Sequence, residues 1–586
     1  MSTSRRQGAY SARVSAALDA KDRHHPDHKA NGDEQKYANS AYLMSFTKGL
    51  DHKLSTGLLE EPQDFMAFRQ AIDEGYIDAF TNRVTVPDCP EGRRVWEAPT
   101  AGTAYDLQGP DCQAVTMAPA PALCSDELDF EMAEVYELAL LRDVAFSEFA
   151  ESGGAGLSAS IDRLNDLQYA KDKFPVRPRL AGANHKLTKQ TAFRGSSPGV
   201  EKGPYVSQFM WIGNGNPALG VIGFGPQQIS QKVAAAEVQD DYMTTFADWH
   251  KVQQGCNVNA VNGTSGGQKF TNTRRFICTP RDMATYVHVD ALYQAYLNAC
   301  LILLGQDAPF DSGFSVLAGK RRIFPTTGAR DLNAGGFALY GGPHILTLVT
   351  EVATRALKAA RFQKFNTHIR ARPEVLAARL EKAGEIEAAH PQLCGALSKM
   401  CGNLDPTIQK IRHHNGTTLG TDATALLPMA FAEGSPMHPA YAAGHASVAG
   451  ACVTVLKAFF DTGAQLVERT APGKDPVVGF FGHKPHDATT DRFVQYVPNA
   501  DGSALEQQEI DCPLTLEGEL NKLAANISIG RNMAGVHYYS DYYDSLRMGE
   551  EIAIGLLQEQ ALCYPTDPVV MSVQTFDGDT VRIGAR

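Results

Sequence analysis

Cysteine is scarce in this chain, at 11 in 586 residues, and no two cysteines stand in a CxxC spacing. A disulfide-dense scaffold is therefore excluded. Cys394 and Cys401 lie seven apart, a weak signal for metal, and most of the thiols read as buried and inert. The odd count implies at least one free thiol or a bridge between chains. Positive charge is also short, with 54 Lys and Arg against 66 Asp and Glu and a net charge of −12. Duplex binding starts from a basic footprint, so nucleic acid is not an expected partner. A membrane span needs roughly 20 apolar residues. The densest stretch here, YLNACLILLG at 296–305, is half that length and reads as a buried helix, so no membrane role is expected. The opening residues carry arginines but no apolar block of signal-peptide type, which makes the cytoplasm the default expectation. No repeat of solenoid period, no low-complexity tract and few strand-like alternations are present.

What is present suits a large folded body. Of the residues, 43% are hydrophobic and only 20% charged, enough apolar surface to offset chain entropy. Residues 1–120 are irregular, with helical candidates at 8–20 and 63–76, and read as a peripheral or intersubunit layer. Residues 121–270 read as a helical support region. There Ser125 stands as an N-cap before DELDFEMAEVYELAL, a second helix is expected at 158–170, a small hairpin within 182–235, a helix over 236–254 and a loop over 255–272. Residues 271–586 read as the catalytic core. A single apolar helix is expected over 281–305, a long loop over 306–340 and a helix over 343–367. A charged helix near 374–389, a buried one over 444–460 and a last block over 515–558 complete it. The fold class is mainly α, a large helical bundle with few short strands and with its motifs at helix ends.

Three segments carry chemistry. In RFQKFNTHIRARPE, Lys364 and Arg372 are eight apart, about 80° around a helix if it ran on. Pro373 disfavours helical geometry at Arg372 and ends the element there. Two cations at a helix end suit an oxyanion; a solvated basic face is the alternative. In GSPMHPAYAAGHASVAGAC, His438 and His445 flank a small-residue turn into an apolar helix. The free N–H groups of a helix start cradle anions, Gly444 permits close approach, and His445 at the mouth can exchange protons. The alternative is a pair of turn-capping histidines. In GRNMAGVHYYSDYYD, Arg531 and His537 would point about 120° apart in one helix, so convergence needs a break, for which Gly535 is the obvious place. Asp541, four after His537, can orient the imidazole; a surface i,i+4 pair is the alternative. Combined, the three segments fit a tetrahedral oxyanion that becomes five-coordinate when a histidine nitrogen joins it. Phosphate does this transiently and vanadate stably, and the pocket alone does not say which.

These stretches resemble the signature segments of the vanadium-dependent haloperoxidases and the related histidine acid phosphatases, and most nearly the algal-type bromoperoxidases. The shared pattern is Lys364 with Arg372-Pro373, Gly444-His445, and Arg531 with His537 and Asp541. SFTKGL, LLPMAFAEGSP and GELNKLA also look like the algal type. The resemblance implies vanadate as cofactor. His537 would be its axial ligand, Lys364, Arg372, Arg531 and the Gly444 N–H would hold the equatorial oxygens, and His445 would be the acid/base at the apical oxygen. Lys364 would also draw charge from bound peroxide. Asp290, in what reads as one buried helix, resembles a family aspartate that pairs with an active-site arginine, here Arg531. Seven residues separate Lys364 from Arg372, one more than the generic pattern, as in the bromoperoxidase branch. Ala443 and Gly530 stand where serines are usual. His438 occupies a place often held by phenylalanine in chloride-oxidising relatives, which makes it a halide-pocket candidate. The implied activity is oxidation of bromide, and of iodide, by hydrogen peroxide to hypobromous acid or an equivalent that brominates an organic acceptor. The rival is an acid phosphatase working through a phosphohistidine. The resemblance also implies a homo-oligomer built from dimers, up to a dodecamer. A structural calcium in the acidic loops is a further expectation, although no segment matches a standard calcium loop.

Overall fold

The computed structural model describes the chain except residues 1, 151, 259–267, 315–321, 325–327, 331–333, 471–472, 483–489, 565–568 and 585–586. Parts of the loops expected at 255–272 and 306–340 lie outside the described residues. Eight helices build the centre, labelled in chain order. α1 (Asp126–Leu140) starts where Ser125 accepts a hydrogen bond from the Leu128 N–H, the expected N-cap. It is buried on nearly every side, and its inward acids meet arginines: Glu127 with Arg177, Glu131 with Arg370, Glu134 with Arg179 and Glu137 with Arg163. Such pairs are how a buried helix tolerates charge.

The apolar helix expected over 281–305 is two helices. α2 (Pro280–Val289) begins with a Thr279/Asp282 capping box, and α3 (Gln294–Gly305) leaves it at a bend of 99°. Asp290 takes extended geometry at the break, which aims a carboxylate out of an otherwise apolar stretch. Among the described residues no helix is long and apolar enough to cross a membrane; α2 and α3 pass such a test only as a bent pair.

α4 (Gly342–Phe362) runs into a wider π-type turn over Gln363–His368 and stops at Ile369, whose φ is +44°. Arg372 is extended, as a residue before proline should be, and Pro373 opens α5 (Pro373–Glu381) as its first residue. The expected charged helix at 374–389 is thus α5 followed by a separate turn of helix over Ala383–Ala389. α6 (Gly444–Phe459) is buried along almost its whole length and lies against α4, α7 (Leu516–Met533) and α8 (Tyr539–Cys563). α6 and α8 cross at two glycines. A methyl on Gly450 would sit 2.0 Å from the Leu546 carbonyl oxygen, and one on Gly549 would sit 2.0 Å from that of Ser447. Between α7 and α8 the chain turns at Gly535, with φ +86°, a conformation open to glycine at little cost.

Strands are short, as a mainly α fold implies, yet one sheet exceeds the expectation. β1 (Gln465–Thr470), β2 (Val477–Phe481), β3 (Thr490–Pro498) and β4 (Leu505–Glu509) form an antiparallel sheet in the order β4-β3-β1-β2. The hairpin expected within 182–235 pairs Val221–Phe224 with Gln227–Ser230, and the helix expected over 236–254 is confined to Phe246–Gln253. A Cys89–Cys256 disulfide ties the N-terminal region to the segment after that helix, a pairing that the spacing of the cysteines did not announce.

Candidate functional site

The ends of α2, α4, α6 and α7 and the turn before α8 meet around a cavity of about 310 Å³. Gly444, His445, His438, Arg531, His537 and Asp290 line it, together with Arg361, Arg94, Glu97, His288, Phe431 and Glu433. Lys364 and Arg372 stand behind this lining, fully buried. They converge because the chain reverses at Ile369 and both then bond one strap of backbone. Lys364 Nζ donates to the carbonyls of Pro439 (2.6 Å) and Ala440 (2.9 Å), and Arg372 Nε donates to that of His438 (3.0 Å).

Arg372 also settles the His537 tautomer. A guanidinium only donates, so its Nη1, 3.0 Å from His537 Nε2, requires a lone pair on that nitrogen. The His537 proton is then on Nδ1 and is donated to Asp541 Oδ2 at 2.7 Å. The contact is not the i,i+4 helical pair that the spacing suggested. His537 precedes α8, and Asp541 is the third residue of its first turn, where it also accepts the Tyr538 N–H at 3.0 Å. His438 Nδ1 lies 2.7 Å from Arg372 Nη2 and 3.2 Å from the Pro439 carbonyl oxygen, and its Nε2 lies 3.6 Å from Glu97.

Asp290 departs from expectation. Its Oδ1 is 3.0 Å from His445 Nε2, whereas Arg531 donates through Nη1 to the Val287 carbonyl at 2.6 Å. The aspartate therefore pairs directly with the histidine and acts on the arginine only through space. The break between α2 and α3 is what brings it there, because a continuous helix would have kept it facing the core.

Burial dominates the electrostatics. It holds His537 and His438 well below the ordinary histidine range, and the neighbouring cations push the same way. Both rings are neutral, and the His537 Nε2 lone pair is met by Arg372 Nη1. His445 is lowered too, first by burial, against the raising influence of Asp290. Lys364 is pushed well below its usual value by burial and then by Arg372 and Arg361. Burial brings Arg372 down to about 9 and Arg361 to about 10. Four cations crowded at this depth raise one another's cost, and a bound oxyanion would offset it. Arg531 Nε, Arg361 Nε and Asp290 Oδ2 are buried there without hydrogen-bond partners. Donors, a histidine lone pair and surplus positive charge are the complement of a tetrahedral oxyanion such as vanadate or phosphate.

Arg361 was not singled out from sequence, although it lies three residues before Lys364 and so on the same helical face. Arg94 and Glu97 share one strap, His288 and Glu433 come from two other segments, and no local signal marks them. His288 lies 2.6 Å from Glu433 and stacks on Phe431 with centroids 3.7 Å apart. Among the described residues no three His, Cys, Asp or Glu side chains gather so as to hold a metal ion, and no site is assigned to the expected calcium.

No family model matches the chain. Individual proteins do. A vanadium-dependent bromoperoxidase of Corallina pilulifera is 38% identical over 99% of this chain and 98% of its own length, and that of Corallina officinalis matches to the same extent. One from Ascophyllum nodosum is 30% identical over 84% of this chain and 78% of its own length. Among solved structures, the homohexameric second vanadate-dependent bromoperoxidase of Ascophyllum nodosum superposes with a TM-score of 0.73 at 26% identity, covering 99% of this chain and 90% of that one. With likeness of this extent joined to an oxyanion cradle and a neutral histidine at its base, the chain belongs to the vanadium-dependent bromoperoxidases.

Proposed function

We propose that this protein binds vanadate and uses hydrogen peroxide to oxidise bromide, and iodide, to a hypohalous acid or its equivalent, which then halogenates an organic acceptor. The observation that carries the reading is the His537 tautomer: Nδ1–H is committed to Asp541, so Nε2 offers its lone pair beside Lys364, Arg372 and Arg531. In this reading His537 is the metal ligand, and Lys364, Arg372, Arg531 and the Gly444 N–H hold the oxygens. Vanadium(V), when bound, supplies the Lewis acidity that activates peroxide without changing its own oxidation state. The protein contributes the field. Buried cations aimed at the oxygens stabilise negative charge as it develops, at no reorganisation cost. Asp290 accepts from His445 Nε2–H, which leaves Nδ1 as the ring's proton acceptor, suited to receive a peroxide proton and return it to a departing oxygen. His438 is proposed to bound the halide side of the cavity.

The test is bromination of a phenol dye with peroxide and bromide in phosphate-free buffer, before and after adding orthovanadate. Activity is expected only with vanadate and is expected to vanish in His537→Ala. A folded wild-type protein that stays inactive after vanadate exposure would sink this reading. Hydrolysis of a phosphomonoester by that same protein would then favour phosphatase chemistry through His537.

The protein is further proposed to work as a homo-oligomer, from dimers up to a dodecamer, with residues 1–120 as the intersubunit layer. The helix Ser2–Lys21 supports this, since Tyr10, Val14 and Leu18 are exposed on the single chain. Light scattering on the full chain and on one lacking that helix tests it; equal masses would exclude the helix as a contact. The Cys89–Cys256 disulfide speaks for an oxidising compartment and against the cytoplasmic default.

A further inference from the structure

We propose that Arg370 and Glu131 are positioning residues for His537, acting through Asp541 to hold the imidazole with its proton on Nδ1 and its Nε2 lone pair turned to the oxyanion. The proposal rests on the vanadate reading and names two residues outside the cavity as part of the same site.

The hydrogen bonds form one chain. Asp541 Oδ2 accepts from His537 Nδ1 and from the Tyr538 N–H, which leaves Oδ1 to be fixed. Arg370 Nη1 donates to Oδ1 at 2.8 Å and to Ser540 Oγ at 2.8 Å, while Arg370 Nη2 is hydrogen-bonded to Glu131. The second oxygen of Glu131 accepts the Ser540 N–H (3.1 Å) and its hydroxyl (2.7 Å). Glu131, Arg370, Ser540, Asp541 and His537 are all buried. Charge-assisted bonds of this kind are short and directional, and with both carboxylate oxygens engaged Asp541 cannot rotate without breaking several of them.

Arg370 is itself held. The segment Ile369–Ala371 is bonded to 44–46 by Phe46 N–H to the Ile369 carbonyl (2.7 Å) and Ala371 N–H to that of Met44 (3.1 Å). The guanidinium lies over the Tyr538 ring at 4.0 Å. An element one residue removed from the turn that delivers Arg372 thereby also sets the orientation of His537.

A plain packing role for such pairs exists in the same helix and supplies a control. Glu134 of α1 pairs with Arg179 in equal burial, and Arg179 lies over Tyr539 at 3.4 Å, but neither residue bonds Asp541 or His537. Loss of the Arg179 pair should cost stability alone. Loss of the Arg370 pair should also disturb the ligand, for which partners behind a metal-binding histidine commonly account for 10–100-fold in affinity.

The experiment measures orthovanadate binding by equilibrium dialysis on the full-length, vanadate-free protein. Wild type, Arg370→Met, Arg370→Lys, Glu131→Gln and Arg179→Met are compared. Arg370→Met and Glu131→Gln are expected to bind about 10–100-fold more weakly, Arg370→Lys to recover part of the loss, and Arg179→Met to match wild type. The same vanadate-free proteins labelled with 15N-histidine report the tautomer directly. His537 should show protonated Nδ1 in wild type and a mixture of tautomers in Arg370→Met and Glu131→Gln. Folded variants that bind as tightly as Arg179→Met, or that keep the wild-type tautomer, would overturn the proposal. If Arg370→Met does not fold, the near-isosteric Glu131→Gln decides. A wild type that binds no orthovanadate defeats the functional reading, and the nitrogen spectra then judge the positioning of His537 by themselves.

Discussion

His445 is where opposing influences on one side chain set a working pH. Burial lowers its pKa below the ordinary histidine value, and Asp290, 3.0 Å from Nε2, works against that. A base must be neutral to accept a proton, so a lowered pKa keeps His445 competent below pH 6.5, and competence is lost as pH falls through the lowered value. In Asp290→Asn the raising influence is gone. The acid limb of kcat/KM for peroxide is expected to move to still lower pH, while the maximal rate falls about 10–100-fold because the ring loses its orienting carboxylate. An acid limb that stays in place in Asp290→Asn would show that another group controls it. Much of this site was legible from sequence, since Lys364-Arg372-Pro373, Gly444-His445 and Arg531-His537-Asp541 are contiguous stretches with fixed spacing. What stayed hidden was who faces whom. Asp290 meets His445 only because the chain breaks after Val289, and Arg370, two residues before Arg372, is proposed to act through Asp541, a carboxylate on a helix 171 positions away.

Helix placement decides whether those side chains meet at all. α6 carries Gly444 and His445, α8 carries Asp541, and the two touch backbone to backbone at Gly450 and Gly549. A methyl 2.0 Å from a carbonyl oxygen of the facing helix cannot be absorbed by a rotamer change. Gly450→Ala and Gly549→Ala are each expected to cost about 3 kcal/mol or more and to weaken vanadate binding as the helices part. The opposite sign is expected at Gly384 and Gly402, exposed helical positions where an added methyl meets nothing within 4 Å. There alanine should stabilise by about 0.5–1 kcal/mol. Denaturant midpoints compare all four, and a stable Gly450→Ala would show that the helices can separate freely. The long helices were readable because apolar residues recur at helical spacing over several turns. The α2–α3 break was not, because VHVDALYQ has neither glycine nor proline to mark it. The four-stranded sheet escaped notice for a different reason: β4 is exposed along most of its length, so it lacks the apolar alternation that betrays a half-buried strand.

Across the whole molecule the Cys89–Cys256 bond closes a loop with a sequence separation of 167 residues. A closure of that length restricts the unfolded chain strongly, worth about 5 kcal/mol in the chain-entropy account and about 2–4 kcal/mol in typical measurements. The bond also lies beside the strap that brings Arg94 and Glu97 to the cavity, which raises the question of whether it shapes the site or only secures the fold. The hydrogen bonds favour the second answer. Arg93 donates to the carbonyls of Pro87 (2.6 Å), Gly49 (2.8 Å) and Gln254 (3.2 Å), and Trp96 Nε1 donates to that of Lys48 at 2.9 Å. These carbonyl contacts pin the strap on both sides of Arg94, and Arg93 adds a longer contact to Cys89 Sγ at 3.8 Å. In a Cys89→Ser/Cys256→Ser variant the melting temperature should fall, consistent with a loss of about 2–5 kcal/mol, while vanadate affinity and the KM for bromide stay near wild type at 25 °C. Calorimetry and bromination kinetics on the same preparation separate the two effects. A raised KM with little change in melting temperature would mean that the strap depends on the bond after all, and that Arg93 and Trp96 hold it less firmly than their distances imply.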